Sequence, residues 1–232
     1  MGGIQAKCIA RWNGTKWNTV GTGNQNGVSS GGAFNPNVSA LAVYQGELYV
    51  GGEFTQAGGV AANYIARWNG TKWNTLGAGN QNGVNSRVNA LAVYNNELYV
   101  GGSFTQAGSI QANRIARWNG TKWNALGTGD QNGVSSDDAT LTAVYALAVY
   151  QGELYVGGFF GQAGSVPASF IARWNGASWS ALTTPTGNGV NSSVNALAVY
   201  GNSLFLGGAL TLANAGENPI PSAYIAQWTF RN

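Results

Sequence analysis

Apolar residues fall in short runs separated by two polar turn residues, never at the three-to-four-residue spacing of an amphipathic helix. Leu-Ala-Val-Tyr is followed by Asn-Asn or Gln-Gly and then by Glu-Leu-Tyr-Val. Further on, Ile-Ala-Arg-Trp is followed by Asn-Gly and then by Lys-Trp-Asn-Thr or Lys-Trp-Asn-Ala. The pattern predicts four short strands per unit. Strand a, such as 88–94, is apolar on both faces and so expected to be buried on both. Strand b covers 97–100, strand c carries Ile-Ala-Arg-Trp, and strand d opens on the second tryptophan. The two-residue connections, Gln45-Gly46, Asn95-Asn96 and the Asn-Gly pairs, are residue types that accept the positive φ of tight hairpins.

The unit recurs almost literally. Ile-Ala-Arg-Trp-Asn-Gly begins at Ile9, Ile65, Ile115 and Ile171 and decays to Ile225-Ala-Gln-Trp, at intervals of 56, 50, 56 and 54 residues. The companion segment Ala-Leu-Ala-Val-Tyr begins at Ala40, Ala90, Ala146 and Ala196. Four strands per unit of this length, each unable to bury its faces alone, predict an all-β propeller of about four blades in one domain, 1–232. The repeat units fall near 9–64, 65–114, 115–170 and 171–224, with a terminal strand in 225–232. The chain opens on strands c and d and ends on a, b and c, so ring closure is expected to join these ends. Strand c is counted once too often, and one terminal c strand is expected to be displaced, left as an edge, or paired with another copy.

Gly-Gly closing strand b, an aromatic in strand c and a tryptophan opening strand d together resemble the Kelch repeat. More closely, the whole unit resembles the kelch-like repeats of bacterial surface proteins and of the fungal cortical cell-polarity marker. The resemblance implies a propeller and implies no particular activity. It departs from copper-bearing kelch propellers, whose metal site needs histidine; this chain has none.

Composition narrows the function classes. Charged residues are only 8% of the chain and the net charge is +3. Arg11, Arg67, Arg117 and Arg173 share one repeat position; Lys16, Lys72 and Lys122 share another, and Glu47, Glu97 and Glu153 a third. Positive charge is thus distributed by the repeat instead of gathered in a groove, and no nucleic-acid partner is expected. No apolar run approaches the roughly 18 residues of a membrane span, and no membrane insertion is expected. The N-terminal segment lacks the apolar core of a secretion signal. Without histidine there is no ordinary general base near neutral pH, and the one cysteine, Cys8, has no such base to activate it, so an enzyme is not expected. No cofactor is called for.

If the protein binds a partner, the long d–a and b–c connections are the expected place, because loops on a rigid scaffold commonly carry recognition. They contain Asn24-Gln25-Asn26, Asn80-Gln81-Asn82 and Asp130-Gln131-Asn132, with Asn188 in a reduced fourth copy. Amides suit sugar hydroxyls or a polar protein surface; they equally suit turn geometry and bonding to nearby backbone. Phe34 and Phe159 break the repeat and are aromatic candidates. Asp130, Asp137 and Asp138 are a candidate oxygen cage for calcium; adjacent acids also suit a solvated loop tip. All nine tryptophans occupy two repeat positions, which suits packing between blades better than sugar stacking. Asn13, Asn69 and Asn119 head Asn-Gly-Thr sequons that double as tight turns.

The expectation is a non-enzymatic surface recognition or adhesion module that meets a glycan or a protein. It would sit extracellularly, on a cell surface or on a viral particle. The alternative is an assembly subunit joined through terminal strands.

Overall fold

The computed structural model describes residues 3–184, 187–213, 220–221 and 223–228. It is all-β apart from three single 3-10 turns, at Gly23–Gln25, Gly79–Gln81 and Gly129–Gln131. Three antiparallel sheets have the predicted four-strand order. The first blade is Asn37–Tyr44, Glu47–Glu53, Ile65–Trp68 and Trp73–Asn74; the second is Val88–Tyr94, Glu97–Gly102, Ile115–Trp118 and Trp123–Asn124. The third is Ala143–Tyr150, Glu153–Phe159, Ile171–Trp174 and Trp179–Ala181. A last blade holds Val194–Tyr200, Ser203–Gly208 and Ile225–Trp228, and an N-terminal hairpin pairs Ala10–Trp12 with Trp17–Thr19.

The turn residues do what their types allow. Gln45 and Gly46 take φ of 48° and 76°, and Asn95 and Asn96 take 47° and 56°. At the c–d turn, Asn69 Oδ1 accepts from the Thr71 and Lys72 backbone N–H groups at 3.0 and 2.9 Å and from Thr71 Oγ1 at 2.9 Å. Asn13 and Asn119 make the same three bonds. Repeat-position charges also pair locally. Arg67 meets Glu47 at 2.9 Å, Arg117 meets Glu97 at 2.7 Å and Arg173 meets Glu153 at 2.8 Å, each across strands b and c. Being partly exposed, each pair stabilises by at most about 1 kcal/mol.

Neighbouring blades meet along strands a: Val88–Tyr94 packs between Asn37–Tyr44 and Ala143–Tyr150, which in turn packs on Val194–Tyr200. The core therefore lies between blades. One cluster gathers Tyr44, Tyr49, Ile65 and Leu76 of the first blade with Val88, Leu98, Phe104 and Trp118 of the second, and the next two interfaces repeat it. Strand a is less buried than its sequence suggests. Val43, Val93, Val149 and Val199 all stay exposed.

Two features differ from expectation. The terminal strands are not joined: the N-terminal hairpin and the last blade are separate sheets, and no packing comparable to that between blades links Asn37–Tyr44 to Val194–Tyr200. Among the described residues, Ile225–Trp228 is the edge of its sheet. The long loops, moreover, carry β-structure of their own. Gln56–Ala57 and Val60–Ala61 form a small hairpin in the b–c loop, and Val28–Ser29 of the d–a loop adds to it; Val134–Ser135, Gln162–Ala163 and Val166–Pro167 repeat this in the third blade. The long-loop face is thus a second, ordered tier.

Candidate functional site

The Asn-Gln-Asn loops resolve into distinct roles. Asn26, Asn82 and Asn132 are buried. Asn82 Oδ1 accepts the Asn63 N–H at 3.0 Å and its Nδ2 donates to the Gly79 carbonyl at 2.6 Å. Asn132 joins Asn113 N–H at 2.8 Å and the Gly129 carbonyl, and Asn26 joins Lys7 N–H at 3.2 Å and the Gly23 carbonyl at 2.6 Å. The third amide therefore staples each d–a loop to the chain entering strand c. Asn24, Gln25, Gln81 and Gln131 are exposed, while Asn80 and Asp130 occupy the middle of their 3-10 turns. Asn188 bonds the Pro167 carbonyl at 3.0 Å and accepts from Ser169 Oγ at 3.2 Å. Phe34 is half-buried in the first insertion, where its backbone bonds Ser30 Oγ.

Phe159 and the Asp137-Asp138 pair, singled out separately in the sequence, come together. A cleft of about 600 Å³ on the long-loop face of the third blade is lined by Ser136, Asp137, Asp138, Phe159, Gln162 and Phe170, among others. Phe159 leaves strand b just after Gly-Gly and meets Phe170 edge to face, ring centres 5.5 Å apart. Both rings are half-buried, so each offers part of its surface to the cleft.

The opposite wall is the d–a insertion, and it is firmly held. Ser136 Oγ donates to the Asp138 carbonyl at 2.9 Å and lies 2.6 Å from Thr142 Oγ1. Asp138 Oδ1 accepts from Thr140 N–H at 2.9 Å and Oγ1 at 2.5 Å. Those two bonds hold its carboxyl below the usual aspartate range, so it stays ionised. Arg114 of the second blade clamps the insertion from behind, donating Nε to Thr142 O at 2.8 Å and an Nη to Ala139 O at 2.7 Å. The guanidinium is buried, which lowers its pKa.

Sequence reasoning missed Arg114 and Phe170. Both sit just before strand c, where Cys8, Tyr64, Arg114, Phe170 and Tyr224 all adopt φ between 62° and 67°. This left-handed kink is held by its backbone bonds: Phe170 N–H donates to Phe160 O at 2.9 Å and Phe170 O accepts Gly158 N–H at 3.0 Å. The side chain is therefore free to differ, and it differs in nearly every copy. Aligning the repeats at the residue before Ile-Ala-Arg-Trp would have exposed that signal.

Cys8, in the same position, donates its thiol to Pro36 O at 3.3 Å, and partial burial raises its pKa, which disfavours the nucleophilic thiolate. Among the described residues no three of His, Cys, Asp and Glu gather in a way that would hold a metal ion. No helix among them is long and apolar enough to cross a membrane.

The family-model comparison agrees with the architecture. The family model for a domain of unknown function, DUF5122, a beta-propeller, matches residues 46–70 and 95–120. Those two segments span strands b and c of the first and second blades. The chain is a repeat protein of propeller type. No curated protein matches it. Solved structures that resemble it include the computationally designed Ika4 protein, at 18% identity and a TM-score of 0.45, covering 88% of this chain and 98% of that one. The computationally designed Ika8 protein matches at 17% identity and a TM-score of 0.40, covering 82% of this chain and 46% of that one.

Proposed function

We propose that this propeller is a non-enzymatic recognition module, of the kind displayed on a cell or particle surface, and that its ligand-binding site is the third-blade cleft. The reading is carried by one observation: the blade whose repeat positions become Phe159 and Phe170 is also the blade whose insertion brings Asp137 and Asp138. Aromatic edges beside hydrogen-bonding carboxylates, Ser136 and Gln162 fit the apolar face and hydroxyl rim of a sugar ring. The cleft is of the size that takes a small ligand. Groups held by Arg114 and by the insertion's internal bonds are preorganised, which lowers the ordering cost of binding.

A glycan array probed with the purified protein, followed by calorimetry on any hit, tests this. Phe159→Ala and Asp137→Asn should each weaken binding at least tenfold, while Gln81→Ala, on the second blade, should leave it unchanged. Equal binding by all variants would place the site elsewhere.

A further inference from the structure

Along the chain, one blade meets the next through a glycine socket and a tyrosine bond three times and through a tryptophan bond at two of those interfaces, the third tryptophan bond joining the first blade to the N-terminal hairpin. The first glycine of the Gly-Gly pair is a socket for a valine of the following strand a. A Cβ at Gly51 would stand 2.4 Å from Val88 Cγ1, at Gly101 2.4 Å from Val144 Cγ1, and at Gly157 2.6 Å from Val194 Cγ1. The tyrosine ending strand a donates to the next blade's a–b turn: Tyr44 to Asn96 O at 2.9 Å, Tyr94 to Gly152 O at 2.9 Å, Tyr150 to Asn202 O at 2.8 Å. The tryptophan opening strand d donates back to the preceding blade: Trp73 to Val20 O at 3.0 Å, Trp123 to Leu76 O and Trp179 to Leu126 O at 3.3 Å.

Each end of the chain presents one half of this contact. On the last blade, a Cβ at Gly207 would find nothing nearer than Ala196 Cβ at 3.8 Å among the described residues, so no valine fills the socket there. Tyr200 is 79% exposed, where its three counterparts are buried. On the first blade, Val38 is only half-buried, although Val88, Val144 and Val194 are fully buried, and Leu41 beside it is 53% exposed. Trp12 and Trp17 of the N-terminal hairpin are 52% and 57% exposed, and the Leu182 carbonyl, next in the tryptophan series, receives no indole among the described residues.

We propose that a second copy of this chain completes the contact: the Gly207 and Tyr200 face of one copy receives the Val38 and Leu41 face of another. Tyr200 then donates to the partner's Gly46 carbonyl, and the partner's hairpin carries Trp17 to Leu182. The occupant is argued from continuity, since both faces are halves of an interface whose socket and tyrosine contacts this chain already builds three times. That hairpin and Ile225–Trp228 claim the same edge of Ser203–Gly208. The hairpin brings a strand d and hides two indoles, so it takes the edge, one ladder of backbone bonds replacing another. The contact is heterologous, head to tail, so it closes a ring or continues as a filament. It is independent of the cleft, and its test reads mass instead of ligand.

Light scattering coupled to size exclusion across a dilution series tests it. The wild type should run at a multiple of 24.0 kDa. Val38→Asp spoils only one face and Gly207→Leu only the other, so each alone should run at single-chain mass. Mixed, they should form a two-chain complex through the one remaining sound pair of faces. Circular dichroism verifies folding, and Leu41→Glu with Tyr200→Lys repeats the pair at more exposed sites. A wild type of 24.0 kDa throughout, as when the chain closes on itself, overturns the proposal. So does a wild-type mass in the single variants, or a mixture that stays at single-chain mass.

Discussion

Replacing Gly101 by alanine places a methyl 2.4 Å from Val144 Cγ1, about 1 Å inside ordinary contact. Gly101 lies in an extended strand, so its backbone accepts alanine without strain and the whole penalty is steric. Overpacking of one methyl in a core of native density costs roughly 1–3 kcal/mol. For a chain of this length each kcal/mol lowers Tm by about 2–4 °C, so a drop of roughly 2–12 °C is expected by scanning calorimetry. The same change at Gly207 meets, among the described residues, nothing nearer than Ala196 Cβ at 3.8 Å and Tyr224 O at 4.0 Å. In a Val38→Asp background, which keeps chain ends apart, it should leave Tm unchanged or slightly raised, since alanine restricts the unfolded chain. Val144→Ala removes the obstructing methyl, at its own cost of roughly 1.6 kcal/mol for the two carbons lost. Combined with Gly101→Ala it should cost at least about 1 kcal/mol less than the two singles together. Equal losses at Gly101 and Gly207, or strict additivity in the double variant, would refute the socket.

Three further outcomes follow from the loop tier. Asn82→Ala removes both staples and leaves the Asn63 N–H unpaired, so it should lose about 1–3 kcal/mol in urea titration, while exposed Gln81→Ala should be neutral. Arg114→Met keeps an apolar stem but frees the Thr142 and Ala139 carbonyls; limited proteolysis should then cut selectively between Asp137 and Leu141, and cleft binding should weaken without loss of the blades. Asp138 has a lowered pKa from its Thr140 bonds, so its stabilising charge is present above the ordinary aspartate value of about 3.9 and is lost only as pH falls through a lower one. Cleft binding that depends on it should therefore be flat through neutral and mildly acidic pH. Thr140→Val should move the acid limb upward, a shift read by titration calorimetry across pH.

Sequence alone determined the blade. Strand a at 88–94 and its Asn95-Asn96 turn are legible because a short apolar run and turn types act over a few residues, and the repeat states the run four times. Strand b ran two residues further than predicted, to Gly102, because the Gly-Gly pair is part of the ladder as well as the socket. The recognition face was legible only as a location. Asn26, Asn82 and Asn132 looked alike as binding or turn residues, and only burial showed their side chains turned into the fold. Phe159 and Asp137-Asp138 stood out as breaks in the repeat, but their meeting in one cleft depends on how two loops from one blade fold over each other. That pairing, and the Arg114 clamp reaching across from the neighbouring blade, is long-range geometry that local pattern does not encode. The sequence likewise counted one strand c too many without showing where the chain ends lie. Packing decided that the Gly207 socket and the Val38 and Leu41 face meet no further blade among the described residues, because each blade hides its apolar side only against a neighbour.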